Sequence, residues 1–178
     1  VNAAYCKNTE NIDVSRTSIY NKLNNLEAST SQALVRYSAN ELKAIIEQIN
    51  GSSVNWISGY TTKIIDGNCI EATEHRIQEL RHIGGGPLPG KSLVVFNPES
   101  GLAIDTFPCE DGHAQERSLL QDVLSTIKEN DLWIADRNFC VVSFLTGIAS
   151  LNGSFVIREH KGLPWEAEDE LQFVGDTK

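Results

Sequence analysis

"NDLWIADRNFC", residues 130–140, sets a short apolar run directly against two charged residues. Leu132, Trp133, Ile134 and Ala135 read as a buried strand, and Asp136 and Arg137 stand where that strand should end. A lone carboxylate is costly to bury, so Asp136 must be paired, hydrated or holding a cation. The choice depends on what the rest of the chain brings to that edge.

Working outward, "ERSLLQDVLSTIK" (116–128) is an amphipathic helix with Leu119, Leu120, Val123, Leu124 and Ile127 on its inner face. "VVSFLTGIASLN" (141–152) is apolar nearly all round and predicts a buried helix; "SFVIREHKG" (154–162) predicts a strand. Further upstream, "YTTKIIDGN" (60–68) is an extended run closed by Asp66-Gly67-Asn68, a turn signal. "KSLVVFNPESGLAIDTF" (91–107) reads as a hairpin turning at Asn97-Pro98-Glu99-Ser100-Gly101. Between them, "EATEHRIQELR" (71–81) predicts a helix or helical turn and "HIGGGPLPGK" (82–91) an exposed, mobile loop. That loop lacks the Gly-Lys-Ser/Thr ending and the preceding strand of a phosphate loop. Three strands, a helix, a strand, a helix and a strand make an α/β (α+β) fold: a meander, then crossovers, in a mixed sheet flanked by helices. Residues 53–165 form this core, and 166–178 are the start of an insertion or a tail.

Residues 1–52 predict a small helical region. In "NIDVSRTSIYNKLNNLE" (11–27), Val14, Ile19, Leu23 and Leu26 recur at helical spacing, with Asp13 or Ser15 as N-cap. A second helix, "SANELKAIIEQIN" (38–50), carries Leu42, Ile45, Ile46 and Ile49 on one face and stops at Gly51. The first segment has the outline of a helix-turn-helix, with Ser15–Leu26 as the candidate reading helix that would present Arg16 and Lys22 to DNA; a plain packing unit is the alternative.

The net charge of −9 excludes a protein that is basic overall and binds nucleic acid through that charge. Residues 1–52 balance five basic against five acidic side chains, whereas 53–161 carry nine basic and fourteen acidic. Residues 162–178 add one basic and five acidic, mostly the run "EAEDE". Carboxylates that hold a divalent cation would contribute to that balance, as would a solvated acidic surface. Cys6, Cys69, Cys109 and Cys140 are scattered and fit no zinc spacing, so they read as reduced cytosolic thiols. Zinc on Cys109 and His113 would have only two ligands. No apolar run reaches the roughly 18 residues of a membrane span.

Asp66 and Asp136 occupy comparable strand ends, separated by 136 − 66 = 70 residues. In a sheet ordered 3-2-1-4-5 the first and fourth strands are adjacent and parallel, so the two carboxylates meet near one edge. They repel unless they share a proton or a cation. A hard cation with oxygen ligands, Mg²⁺ or Mn²⁺, satisfies both; turn formation and helix capping are the plainer alternatives.

Three blocks carry a resemblance: "IIDGNCIEATEHRIQELR", "PLPGKSLVVFNPESGLAIDTFPCEDGHAQERSLL" and "LWIADRNFC". They resemble transposases of bacterial insertion sequences, the IS-four-like branch of the DDE family, over about residues 14–165. The resemblance implies a ribonuclease-H-like core, Asp66 and Asp136 as first and second catalytic acids and metal ligands, and Mg²⁺ (or Mn²⁺) as cofactor. It implies phosphoryl transfer on double-stranded DNA, cutting transposon ends and joining the 3′-hydroxyl to target DNA. Partners would be transposon-end and target DNA, with a second copy of the chain in the synaptic complex and no membrane. The family's third acid, on a helix with Tyr, Arg, Glu and Lys at set spacings, finds no match. Glu159 lies in the predicted last strand without that pattern, so the third acid is expected beyond residue 178 and the chain alone is expected to be inactive. A non-catalytic DNA-binding remnant and a nuclease of the same fold are the rival readings.

The remaining candidates carry weaker signals. Arg137 and Asn138 could contact phosphate or brace the site, or equally cap the buried helix. His75, Arg76 and Arg81 form a basic face that could follow DNA, or an ordinary solvated surface. Cys109, Glu110, Asp111 and His113 follow the third strand and could support the active edge. Cys69 and Cys140 should pack beneath the site, and Trp56 and Tyr60 in the core or at the sheet edge.

Overall fold

Two strands decide the architecture: β1 (Thr61–Ile70) lies parallel to β4 (Asp131–Ala135), with Thr61 opposite Asp131 and Ile64 opposite Ile134. The computed structural model describes residues 6–7, 11, 13–24, 27–51, 55–70, 90–109 and 116–163. On its other side β1 pairs antiparallel with β2 (Gly90–Asn97), which pairs antiparallel with β3 (Leu102–Cys109). β5 (Ser154–Ile157) adds parallel to β4, so the five-stranded order is β3-β2-β1-β4-β5. The order expected from the sequence is the one found, that of a ribonuclease-H-like α/β core.

Among the described residues, the α-helices accompanying the sheet are α1 (Arg16–Asn24), α2 (Ala28–Gln48), α3 (Leu120–Leu124) and α4 (Val142–Ser150). Side chains alternate along strands, and one sheet face buries Ile65, Leu93, Val95, Phe107 and Trp133. Leu120 and Val123 of α3 and Phe144 and Ile148 of α4 complete that cluster. Each such apolar side chain contributes roughly 1.5–3 kcal/mol through burial. The connections from β3 to β4 and from β4 to β5 therefore cover the same face.

One buried ion pair crosses the central strands. Lys63 Nζ on β1 donates to Asp131 Oδ2 on β4 at 2.6 Å, and that oxygen also accepts the Lys128 backbone N–H at 2.7 Å. Lys63 is 8 % and Asp131 2 % exposed, and the ammonium stands 5.1 Å from the Trp133 ring centroid. At the β2–β3 turn, buried Asn97 donates to Thr62 O and accepts from Ser100 N, while Gly101 takes φ 69°.

Several expectations need correction. Asp66-Gly67-Asn68 is not a turn: β1 continues to Ile70, because pairing with β2 carries on after pairing with β4 stops. The helix from 116 is a 3₁₀ turn (Glu116–Leu119) and then only Leu120–Leu124. Ser125 and Thr126 hydroxyls take the Asp122 and Val123 carbonyls, which ends it. α4 is amphipathic rather than buried all round, with Val142 exposed. β5 stops at Ile157, so Glu159 lies beyond it rather than within a strand. Trp56 is exposed. Ser15 caps α1 as expected, accepting the Ser18 N–H. In α2 the apolar face is largely exposed: Leu42, Ile45 and Ile49 face outward and Ile46 is half-buried. The helix docks instead through buried Ala39 and through Arg36, whose guanidinium binds both Asp105 oxygens at 2.8 Å. That hydrogen-bonded carboxylate raises the Arg36 pKa above its ordinary value, so the cation persists at every ordinary pH. The helix expected at 71–81, and residues 82–89 of the expected loop, lie outside the described residues; Gly90 and Lys91 of that loop belong to β2.

Removing one partner of the buried pair strands the other charge in the core. Asp131→Asn should therefore cost about 3–5 kcal/mol in urea unfolding, far more than an exposed pair such as Lys43–Glu47 is worth. A loss below about 1 kcal/mol would show that the pair does not hold β1 to β4.

Candidate active edge

The β1–β4 register carries a constant offset of 70 residues, 131 − 61 at one end and 134 − 64 at the other. Extended two residues past the last pair, it sets Asp66 level with Asp136. Backbone pairing itself stops at Ile64 and Ile134, two residues before the aspartates. Asp66 shares a strand face with Ile64. Asp136 keeps an extended backbone (φ −78°, ψ 177°) and so shares the face of Ile134. Both aspartates are exposed at the end of that face, opposite the helix-covered core.

Local structure fixes one oxygen of each carboxylate. Asp66 Oδ1 accepts the Gly67 N–H at 2.8 Å. Asp136 Oδ1 accepts the Asn138 N–H at 2.8 Å and so caps the 3₁₀ turn Arg137–Phe139. Phe139 (1 % exposed) and Cys140 anchor that turn in the interior, Cys140 as expected. Among the described residues neither aspartate is ion-paired with a Lys or Arg. Of the three states open to Asp136, the paired one is therefore not observed.

A third carboxylate reaches the turn that Asp136 caps. Glu116 Oε2 accepts from Asn138 Nδ2 at 2.7 Å, and Arg117 Nε donates to the Asn138 carbonyl at 2.9 Å. The Glu116 carboxylate also occupies the space where a Cβ at Gly67 would sit. Asn138 thus links the Glu116 side chain, the Arg117 guanidinium and the Asp136 carboxylate. The sequence presents Glu116 and Arg117 only as the start of a helix; their place after the third strand is the one signal that could have pointed to them.

A groove at Asp136 is lined by Arg117, Arg137, Glu159, His160 and Lys161. Arg137 is exposed there, next to the carboxylate it follows, whereas nothing in the sequence singles out Lys161. Arg16 and Lys22 are exposed on α1, at its first turn and its last. Cys109 ends β3, half-buried. His75, Arg76, Arg81, Glu110, Asp111 and His113 lie outside the described residues, as does the side chain of Cys69.

No group of three or more His, Cys, Asp and Glu able to hold a metal ion occurs among the described residues. Two hard-oxygen carboxylates still fit Mg²⁺, which keeps several waters and is commonly bound through one or two carboxylates. No helix among the described residues is long and apolar enough to cross a membrane.

The sequence model of the family described as "Transposase DDE domain" matches residues 57–171, a span holding all five strands and both aspartates. No curated protein matches the chain.

The cap makes a measurable difference between two substitutions. Asp136→Ala should cost about 1 kcal/mol in urea unfolding. Asp136→Asn keeps an acceptor oxygen and should stay within about 0.5 kcal/mol of the parent. Equal losses would show that the cap does not hold the turn.

Proposed function

The chain belongs to the transposase DDE domain family, and on that premise we propose that it is a metal-dependent DNA transposase of the insertion-sequence, IS-four-like type. Asp66 and Asp136 are its metal-holding pair. The observation that supports this reading is the parallel register of β1 and β4, which two residues past Ile64 and Ile134 reaches the exposed Asp66 and Asp136. A bound Mg²⁺ or Mn²⁺ would supply Lewis acidity and charge neutralisation at a DNA phosphodiester. The protein's own part is positioning. Backbone N–H groups of Gly67 and Asn138 orient the two carboxylates, so little reorganisation is needed when a cation and substrate arrive. Phosphoryl transfer of this kind needs no side-chain nucleophile.

The net charge of −9 makes DNA contact a local matter. Arg117, Arg137 and Lys161 gather beside Asp136 and give the phosphate backbone a cationic rail next to the reacting position. Double-stranded transposon ends and target DNA are the substrates in this reading. A nuclease of the same fold would use the same pair. Joining of a labelled 3′-hydroxyl to target DNA separates the two.

Calorimetric titration with Mn²⁺ tests the metal pair. The 178-residue chain should bind it, and Asp66→Asn or Asp136→Asn should each reduce binding to background. Undiminished binding by both variants would refute the assignment. For the rail, Arg137→Ala with Lys161→Ala should weaken DNA binding and flatten its salt dependence. The log–log slope should fall by about 0.9 for each phosphate that the variant leaves without a cation. An unchanged slope would move the DNA-binding surface elsewhere, with Arg16 and Lys22 next in line.

A further inference from the structure

We infer that Glu116 is a positioning residue for the aspartate pair: through Asn138, and across Gly67, it ties the turn bearing Asp136 to the strand bearing Asp66. The inference rests on the metal-pair reading above.

Backbone pairing of β1 with β4 ends at Ile64 and Ile134, two residues short of the aspartates. Something else must keep the two ends together, because a parallel pair that stops bonding is free to splay. Glu116 stands where that tie is needed. One carboxylate oxygen accepts from the Asn138 side chain, while Arg117 on the same turn holds the Asn138 carbonyl. Asn138 in turn gives its backbone N–H to Asp136 Oδ1. A displacement of Asn138 is therefore a displacement of the carboxylate it orients. The turn carrying Glu116 is itself held down by Leu120, which is buried in the core.

Gly67 supplies the other side of the contact. Glycine weakens a strand interior and often marks a close approach. Here the approach is by the Glu116 carboxylate, which any side chain at 67 would push aside. The glycine after Asp66 thus serves the third carboxylate rather than a turn.

Positioning, not ligation, is the role the contacts describe. One Glu116 oxygen is spent on Asn138, the carboxylate packs against Gly67, and the described residues hold no three-acid group placed for a metal. Hydrogen-bond partners that orient metal ligands typically matter 10–100-fold in metal affinity.

The test is Mn²⁺ titration calorimetry on the 178-residue chain, with urea unfolding measured alongside. Glu116→Ala should weaken Mn²⁺ binding about tenfold or more. Glu116→Gln keeps an amide oxygen for Asn138 and should stay within about threefold of the parent. Gly67→Ala should behave like Glu116→Ala with little loss of stability, since the displaced group is the end of a flexible side chain. Val123→Ala should lower the urea midpoint and leave Mn²⁺ affinity unchanged, which separates positioning from general support. Parent-like binding by Glu116→Ala overturns the inference. So does a Gln variant as weak as the Ala variant, because the carboxylate would then act through its charge. Asp136→Asn distinguishes the two levels: if it still binds Mn²⁺, the metal reading itself fails.

Discussion

Lys63 and Asp131 meet at 2.6 Å inside the protein, and their contact fixes the alignment of β1 with β4. A one-residue slip would turn every β1 side chain to the opposite face, taking Ile65 out of the core and putting Asp66 into it. A two-residue slip would keep the faces but separate Lys63 from Asp131 and leave two buried charges unpaired, at a cost of several kcal/mol. The apolar pattern thus selects the face, and the ion pair selects the register. The same offset of 70 residues joins Thr61 to Asp131 and Ile64 to Ile134, and its continuation by two residues is what the proposed Asp66–Asp136 pair relies on.

The two sheet faces divide the labour. Ile65, Trp133 and their neighbours bury against α3 and α4, while the aspartates stand on the opposite face where solvent and a ligand can reach them. The connections that build the core also serve the site. The turn before α3 brings Glu116 over Gly67, and the turn before α4 brings Asn138 to Glu116 and to Asp136. Phe139, one residue beyond Asn138, is almost fully buried, so the turn that orients Asp136 is fastened to the hydrophobic interior.

Much of this was legible in the sequence, for identifiable reasons. Apolar runs of strand length, the Asn97–Gly101 turn and the two crossover segments were enough to predict five strands in their observed order. Asp66 and Asp136 were visible because each follows an apolar run. The errors came where a local signal met a tertiary demand. Asp66-Gly67-Asn68 carries turn chemistry, yet pairing with β2 holds it extended and the glycine makes room for Glu116. α2 shows an apolar stripe that ought to face inward, yet Arg36 and its bidentate bond to Asp105 choose the docking face. Glu116 gave only a faint sign, its place after the third strand, since a carboxylate in a first helical turn is ordinary. Its neighbours, Gly67 and Asn138, are 49 and 22 residues away in sequence (116 − 67 and 138 − 116).

The central claim is that a shared register brings Asp66 and Asp136 together to hold a divalent cation. Anomalous diffraction from crystals of the chain grown with Mn²⁺ tests it most directly. A manganese peak within coordination distance of both carboxylates, on the sheet face opposite the Trp133 core, is the result expected. A peak held by other residues, or two aspartate carboxylates pointing apart with no metal between them, would contradict it.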